Sequence, residues 1–204
     1  MTPLIEQVLI AIYHGQQDHA WSQVFVEHVE SALEAAGLYR RLDRPPAMCF
    51  LDLTGYTRLT EERGDEAAAE LAARLAGLVR RAAQEHGGAP VKWLGDGVMF
   101  YFREPGAAVL AAVEMVEVVG RHGLPPAHVG IHAGPVIFQE GDYFGRTVNL
   151  AARIAEYARP GEVLVSQEVV DAADGSPVSF TEIGPVELKG VPETIQLYTA
   201  RGNA

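Results

Sequence analysis

Val91-Lys92-Trp93-Leu94-Gly95-Asp96-Gly97-Val98-Met99-Phe100 is the stretch on which the fold turns. Apolar residues run up to a Gly-Asp-Gly tripeptide and resume directly after it. That is the pattern of two strands, Pro90–Leu94 and Val98–Phe102, joined by a tight hairpin. Outward from it, helices and strands alternate. Upstream, Met48–Leu53 reads as a short apolar strand. Thr57 to about His86 reads as helix, broken or kinked near Gly64, with a second half (Ala67 to Ala83) rich in the strong helix formers Ala and Leu and a stop at Gly87-Gly88. Downstream, Pro105 opens a helix running to about Gly123. His128–Ala133 and Val136–Gln139 read as strands on either side of Gly134-Pro135, Gly145–Tyr157 as helix, and Glu162–Val165 as strand. Val178 to Thr199 is expected to hold three short strands, with turns at Gly184-Pro185 and Gly190-Val191-Pro192. This alternation predicts an α+β or α/β sandwich around a mixed sheet.

The N-terminal zone differs. In residues 1–37 apolar side chains recur at Leu4, Val8 and Ile12, then at Trp21, Val24, Phe25, Val29 and Leu33, the spacing of amphipathic helix, with Gly37 as its stop. Residues 38–46 are an Arg-rich linker ending in Pro45-Pro46, where helix is disfavoured. The expected organisation is therefore a helical segment and linker over 1–46 and a folded domain over 47–204.

Composition narrows the function. The chain has 204 residues, 48% hydrophobic and 21% charged, with a formal net charge of −11. An acidic surface argues against non-specific binding to nucleic acid or anionic lipid, although local cations and metal ions still allow a nucleotide substrate. The single cysteine, Cys49, lies in an apolar run and reads as a buried strand thiol; without a partner it fits a reducing cytoplasm. The apolar run Val8–Tyr13 is too short to span a bilayer, and no secretory signal is expected at the N-terminus. The seven histidines show no metal-type spacing and are read as structural or surface residues.

Three motifs carry chemistry. In Phe50-Leu51-Asp52-Leu53-Thr54-Gly55-Tyr56-Thr57 a carboxylate ends a buried strand just before a helix. Asp52 there can hold Mg²⁺ or Mn²⁺, which take hard oxygen ligands, and the N–H groups of Gly55, Tyr56 and Thr57 suit a polyphosphate at the helix N-terminus. The competing reading is that Asp52 is only a cap or turn residue. In Lys92-Trp93-Leu94-Gly95-Asp96-Gly97, Asp96 is a second candidate carboxylate, against a turn chosen only for its backbone; Lys92 reads as a solvent-facing strand residue, a reading that weakens if Asp96, four residues on, is functional. In Asp142-Tyr143-Phe144-Gly145-Arg146-Thr147-Val148-Asn149-Leu150-Ala151-Ala152-Arg153-Ile154, Asn149 and Arg153 share a helix face. The Arg153 fork suits phosphate oxygens, against the alternative of a surface pair with Glu156.

Taken together and in this order, FLDLTGYTRLT, VKWLGDGVMF and GDYFGRTVNLAARI, with VELKG as a weaker echo, resemble the class III adenylyl/guanylyl cyclase catalytic domain. The resemblance covers Ala47 to Thr199. It implies a largely antiparallel, ferredoxin-like core and two divalent metal ions, Mg²⁺ or Mn²⁺, bound by Asp52 and Asp96 together with Leu53. It implies that Lys92 and Asp142 read adenine, that Asn149 orients the ribose, that Arg153 stabilises the transition state, and that Lys189 contacts phosphate. ATP is the implied substrate, cyclic AMP the product, and a homodimer with shared active sites the assembly. An upstream regulatory domain is a further expected partner. The rival readings are a catalytically silent nucleotide-binding module and a guanylate cyclase.

Overall fold

The structure is a computed structural model that describes residues 45–202 apart from 140 and 174. The helical reading of residues 1–37, and the linker up to residue 44, lie outside the described residues.

Strand β1 (Ala47–Leu53) sits in the middle of the sheet and shows how the sequence sorts itself. Its side chains alternate between two faces. Ala47, Cys49, Leu51 and Leu53 enter the main apolar core, while Met48 and Phe50 join a smaller cluster on the other face, the face that Asp52 shares. Strands β2 (Gly88–Leu94) and β3 (Gly97–Phe102) form the expected hairpin, and β3 lies antiparallel to β1. On the other side of β1 lies β4 (Ala127–Ala133), antiparallel, with Leu51 opposite Val129 and Asp52 opposite His128. Next come β7 (Val163–Ser166), β9 (Thr194–Gly202) and the edge strand β8 (Val178–Glu187). Only β4 and β7 are parallel, so the seven-stranded sheet is largely antiparallel.

Helices α1 (Tyr56–Arg63) and α2 (Asp65–Glu85) are divided at Gly64, as the sequence predicts. Leu75, Val79 and Ala82 of α2 and Val109, Ala112 and Met115 of α3 (Pro105–Arg121) pack on the core face of the sheet. Burial of such side chains contributes roughly 1.5–3 kcal/mol each, and this face holds most of the buried apolar side chains. Cys49 lies fully buried here, and loss of solvent pushes its thiol well above the ordinary range, which suits a packing role.

The opposite face is covered by α4 (Arg146–Tyr157), the helix in the crossover that a parallel β4–β7 pair requires. Between β4 and α4 a small separate hairpin forms from β5 (Ile137–Gln139) and β6 (Asp142–Phe144). Neither β6 nor α5 (Gln167–Ala172) is anticipated by the sequence pattern.

One expectation is corrected. The region after Val178 forms two long strands rather than three short ones. Gly184 is a β-bulge inside β8, with φ +110° and a register shift between Glu182 and Gly184, instead of a turn. Pro185 is tolerated because β8 is an edge strand with one side unpaired. No described helix is long and apolar enough to cross a membrane.

Candidate active site

The hairpin turn between β2 and β3 brings Asp96 against the end of β1 and Asp52. The carboxyl pKa of Asp96 is raised, first because it is partly withdrawn from water and next because the Asp52 charge lies beside it; its own backbone N–H and the neighbouring His128 pull the other way. A Cβ added at Gly97 would lie 3.3 Å from Asp52 Oδ1, so this oxygen faces the hairpin turn. The other oxygen, Oδ2, lies 3.8 Å from His128 Nε2. Two neighbouring hard carboxylates, one of them partly withdrawn from water, are a donor set that Mg²⁺ or Mn²⁺ fits, because a cation between them removes the repulsion. Among the described residues no group of three or more His, Cys, Asp and Glu side chains is gathered around one point. Further oxygens would therefore come from water, substrate phosphate or backbone carbonyls. The side chain of Leu53 is buried in the core, which leaves only its carbonyl as a ligand.

Lys92 and Asp142 form the second constellation. Though 50 residues apart in sequence, Lys92 Nζ donates to Asp142 Oδ2 at 2.8 Å. The cause is aromatic packing. Tyr143 of β6 stacks on Tyr101 of β3 at 4.7 Å and touches Phe138 of β5 at 4.8 Å, which lays the small hairpin against the larger one. Asp142 immediately precedes Tyr143, and its Oδ1 accepts the Tyr143 N–H at 2.9 Å, so the carboxylate is held from both sides.

Helix α4 supplies the third. Leu150, Ala151, Ile154 and Ala155 are buried, which turns Asn149, Arg153 and Glu156 outward. Arg153 Nη1 donates to both Glu156 carboxylate oxygens at 2.7 Å, the surface pairing that the i, i+3 spacing allows. Such a half-exposed pair is weak, of order 0.2–1 kcal/mol, and yields readily to a phosphate. Lys189 sits in the exposed β8–β9 turn, and its neighbour Leu188 packs in the same apolar cluster as Ile154, which brings that turn to the helix of Arg153.

Gly55 caps α1 in the left-handed conformation without a side-chain cap, leaving the first-turn N–H groups at Tyr56 and Thr57 to other partners. The Tyr56 ring plays a structural part, donating from its hydroxyl to the Ala68 carbonyl at 3.0 Å.

Two of the histidines that the sequence reads as structural or surface residues, His128 and His132, stand on the same face of β4. The only sequence signal was their spacing of four, and its meaning depends on which face of the strand is buried. His132 Nδ1 lies 2.7 Å from Ser166 Oγ and 3.6 Å from Glu168. Burial pushes its pKa down to about 4; Glu168 opposes the shift and Arg146 adds to it. In the unfolded chain a histidine titrates near 6.5, so the unfolded state binds the extra proton first. This histidine therefore leaves stability unaffected above about pH 6.5 and lowers it progressively as pH falls from there toward 4. Urea unfolding between pH 4.5 and 7.5 should show that decline, and His132→Asn should flatten it.

These constellations can be set beside known proteins. Residues 43–202 match the family model described as the adenylate and guanylate cyclase catalytic domain. The chain belongs to this family. It is 35% identical over 189 residues to a pH-sensitive adenylate cyclase of Mycobacterium tuberculosis, covering 87% of this chain and 46% of the relative. It is 32% identical over 166 residues to an adenylate cyclase of Streptomyces griseus, covering 81% of this chain and 40% of that protein. The chain thus spans less than half the length of these curated relatives. Among solved structures, the adenylyl cyclase CyaB from P. aeruginosa superposes with a TM-score of 0.67 at 24% identity, covering 77% of this chain and 93% of that one, a likeness of fold. The mixed, largely antiparallel sheet with flanking helices is the architecture of cyclase catalytic domains.

Proposed function

We propose that this cyclase-family domain is an adenylate cyclase, converting ATP to 3′,5′-cyclic AMP and pyrophosphate at sites shared between two copies of the chain. The observation that carries the choice of base is the Lys92–Asp142 pair at 2.8 Å. An ammonium has three donors and each carboxylate oxygen two lone pairs, so the pair still offers a donor and an acceptor side by side. Adenine presents the complementary edge, an acceptor at N1 and a donor at N6. Guanine presents a donor at N1 and an acceptor at O6, the reverse order, and mismatches of this kind discriminate strongly once desolvated.

The reaction is in-line attack of the ribose 3′-oxygen on the α-phosphorus with loss of pyrophosphate. Asp52 and Asp96, with the Leu53 carbonyl, would hold two divalent ions. When bound, these supply Lewis-acid chemistry, lowering the pKa of the 3′-hydroxyl and neutralising the triphosphate. Asn149 orients the ribose. Arg153 leaves Glu156 to balance the charge that grows on the five-coordinate phosphorus. Gly55, Tyr56 and Thr57 offer backbone N–H groups to the phosphates, and Lys189 adds a cation. Nucleophile and electrophile belong to one molecule, so positioning carries much of the remaining rate. The chain carries both the metal-holding and the base-reading sets, and a symmetric homodimer therefore has two complete sites.

The decisive experiment measures product from ATP and from GTP, with Mg²⁺ and with Mn²⁺, for the natural chain and Asp96→Ala. Cyclic AMP from ATP is expected, falling by about 10²–10³-fold in the variant, the order of loss when one group that supports the developing charge is removed, here one of the two carboxylates that would hold the ions. Cyclic GMP as the main product would make it a guanylate cyclase. ATP binding with no product under any condition would make it a silent nucleotide-binding module.

A further inference from the structure

Asp52 Oδ1 faces the hairpin of Asp96, and Oδ2 faces the imidazole of His128 at 3.8 Å. The two residues are direct cross-strand partners of β1 and β4. Asp52 has about half its side chain exposed, at 48%, whereas His128 is nearly enclosed at 13%. A half-exposed carboxylate has little packing to fix its rotation, and the enclosed ring beside it is the rigid member of the pair.

The ring is itself held. Thr54 Oγ1 lies 3.3 Å from His128 Nδ1, and the Thr54 N–H donates to the Pro126 carbonyl at 2.9 Å. One tautomer satisfies all of this: Nδ1 accepts from the Thr54 hydroxyl, and Nε2 carries the hydrogen and points it toward Asp52. The loop after β1 and the start of β4 are thereby tied into a chain of contacts, Pro126 to Thr54 to His128 to Asp52.

From this geometry we infer that His128, supported by Thr54, is a positioning residue that turns one oxygen of Asp52 toward Asp96 and so shapes the metal site. The inference rests on the reading of Asp52 as a metal ligand. His128 touches neither the nucleotide nor the reacting atoms; it acts through Asp52. Partners of this kind around a ligating carboxylate or imidazole typically change metal affinity by about 10–100-fold when removed.

The test is a Mn²⁺ titration followed by electron paramagnetic resonance, with the full chain saturated with 3′-deoxy-ATP, which cannot cyclise. His128→Ala is expected to weaken Mn²⁺ binding about 10-fold or more. His128→Gln, whose amide N–H can replace Nε2–H, should recover most of the loss. Thr54→Val, an exposed site where folding is not at stake, should weaken binding by a smaller factor and keeps the test open if His128→Ala fails to fold. Equal loss in the Ala and Gln variants would mean a merely structural role and overturn the inference. So would unchanged Mn²⁺ affinity in His128→Ala or Thr54→Val while Asp52→Asn loses it. Unchanged affinity in Asp52→Asn as well would overturn the metal-site reading, and the inference with it.

Discussion

Asp52→Ala and Arg153→Ala are each expected to be inactive alone and to regain activity when mixed. Asp52 stands at the end of β1, whereas Arg153 points outward from α4 and, among the described residues, is bonded to Glu156. If the metal-holding residues of one copy work with the base-reading and Arg153 set of another, each variant ruins both sites of its own homodimer. A mixed dimer then holds one site with both residues intact and one with neither. Random exchange makes half the dimers mixed, so activity should return to roughly a quarter of the natural level. Each single variant should fall by about 10²–10³-fold, Arg153→Ala because a charge partner of the developing transition state is gone and Asp52→Ala because a ligand of the ions is gone. A mixture that stays inactive while labelled subunits demonstrably exchange would show that each site is complete within one chain.

Gly130→Ala is the substitution expected to damage the fold most. Gly130 lies on β4 where α4 crosses the sheet, and a Cβ there would sit 2.0 Å from the Ala155 nitrogen and 2.6 Å from the Ala155 Cα. These are backbone atoms, which no side-chain rotation can clear. The helix would have to lift as a body, although Ala151 and Ile154 anchor it in two separate apolar clusters. The loss should be at least about 3 kcal/mol, at the upper end for overpacking, and any folded remainder should cyclise ATP poorly because Asn149 and Arg153 ride on α4. Gly120→Ala is the contrasting control. Gly120 lies in α3, and among the described residues nothing beyond its own stretch of helix lies within 4 Å of the added Cβ, so helix propensity should raise stability by about 0.5–1 kcal/mol. Urea unfolding of the two variants checks both signs.

Local pattern carried most of what can be read along the chain. The Gly95-Asp96-Gly97 turn, the break at Gly64, Pro105 at a helix start and the buried β1 all follow from residue chemistry within a few positions, and the structure has each in place. The motifs bring forward Asp52, Asp96, Lys92, Asp142, Asn149 and Arg153 as a set only through the resemblance to the cyclase family, because each motif alone leaves a cap, turn or surface reading open. Gly184 misled, since a bulge and a turn ask the same of a glycine, and only pairing with β9 distinguishes them. Non-local register decided the remainder. Lys92 meets Asp142 because Tyr143 stacks on Tyr101, and His128 meets Asp52 because β4 lies antiparallel to β1 in one register. A slip of one residue would send His128 to the other face of the sheet. The sequence by itself determined which groups exist and which local elements carry them; the tertiary structure decided which groups meet, because strand register is set by packing the whole sheet and not by any single segment.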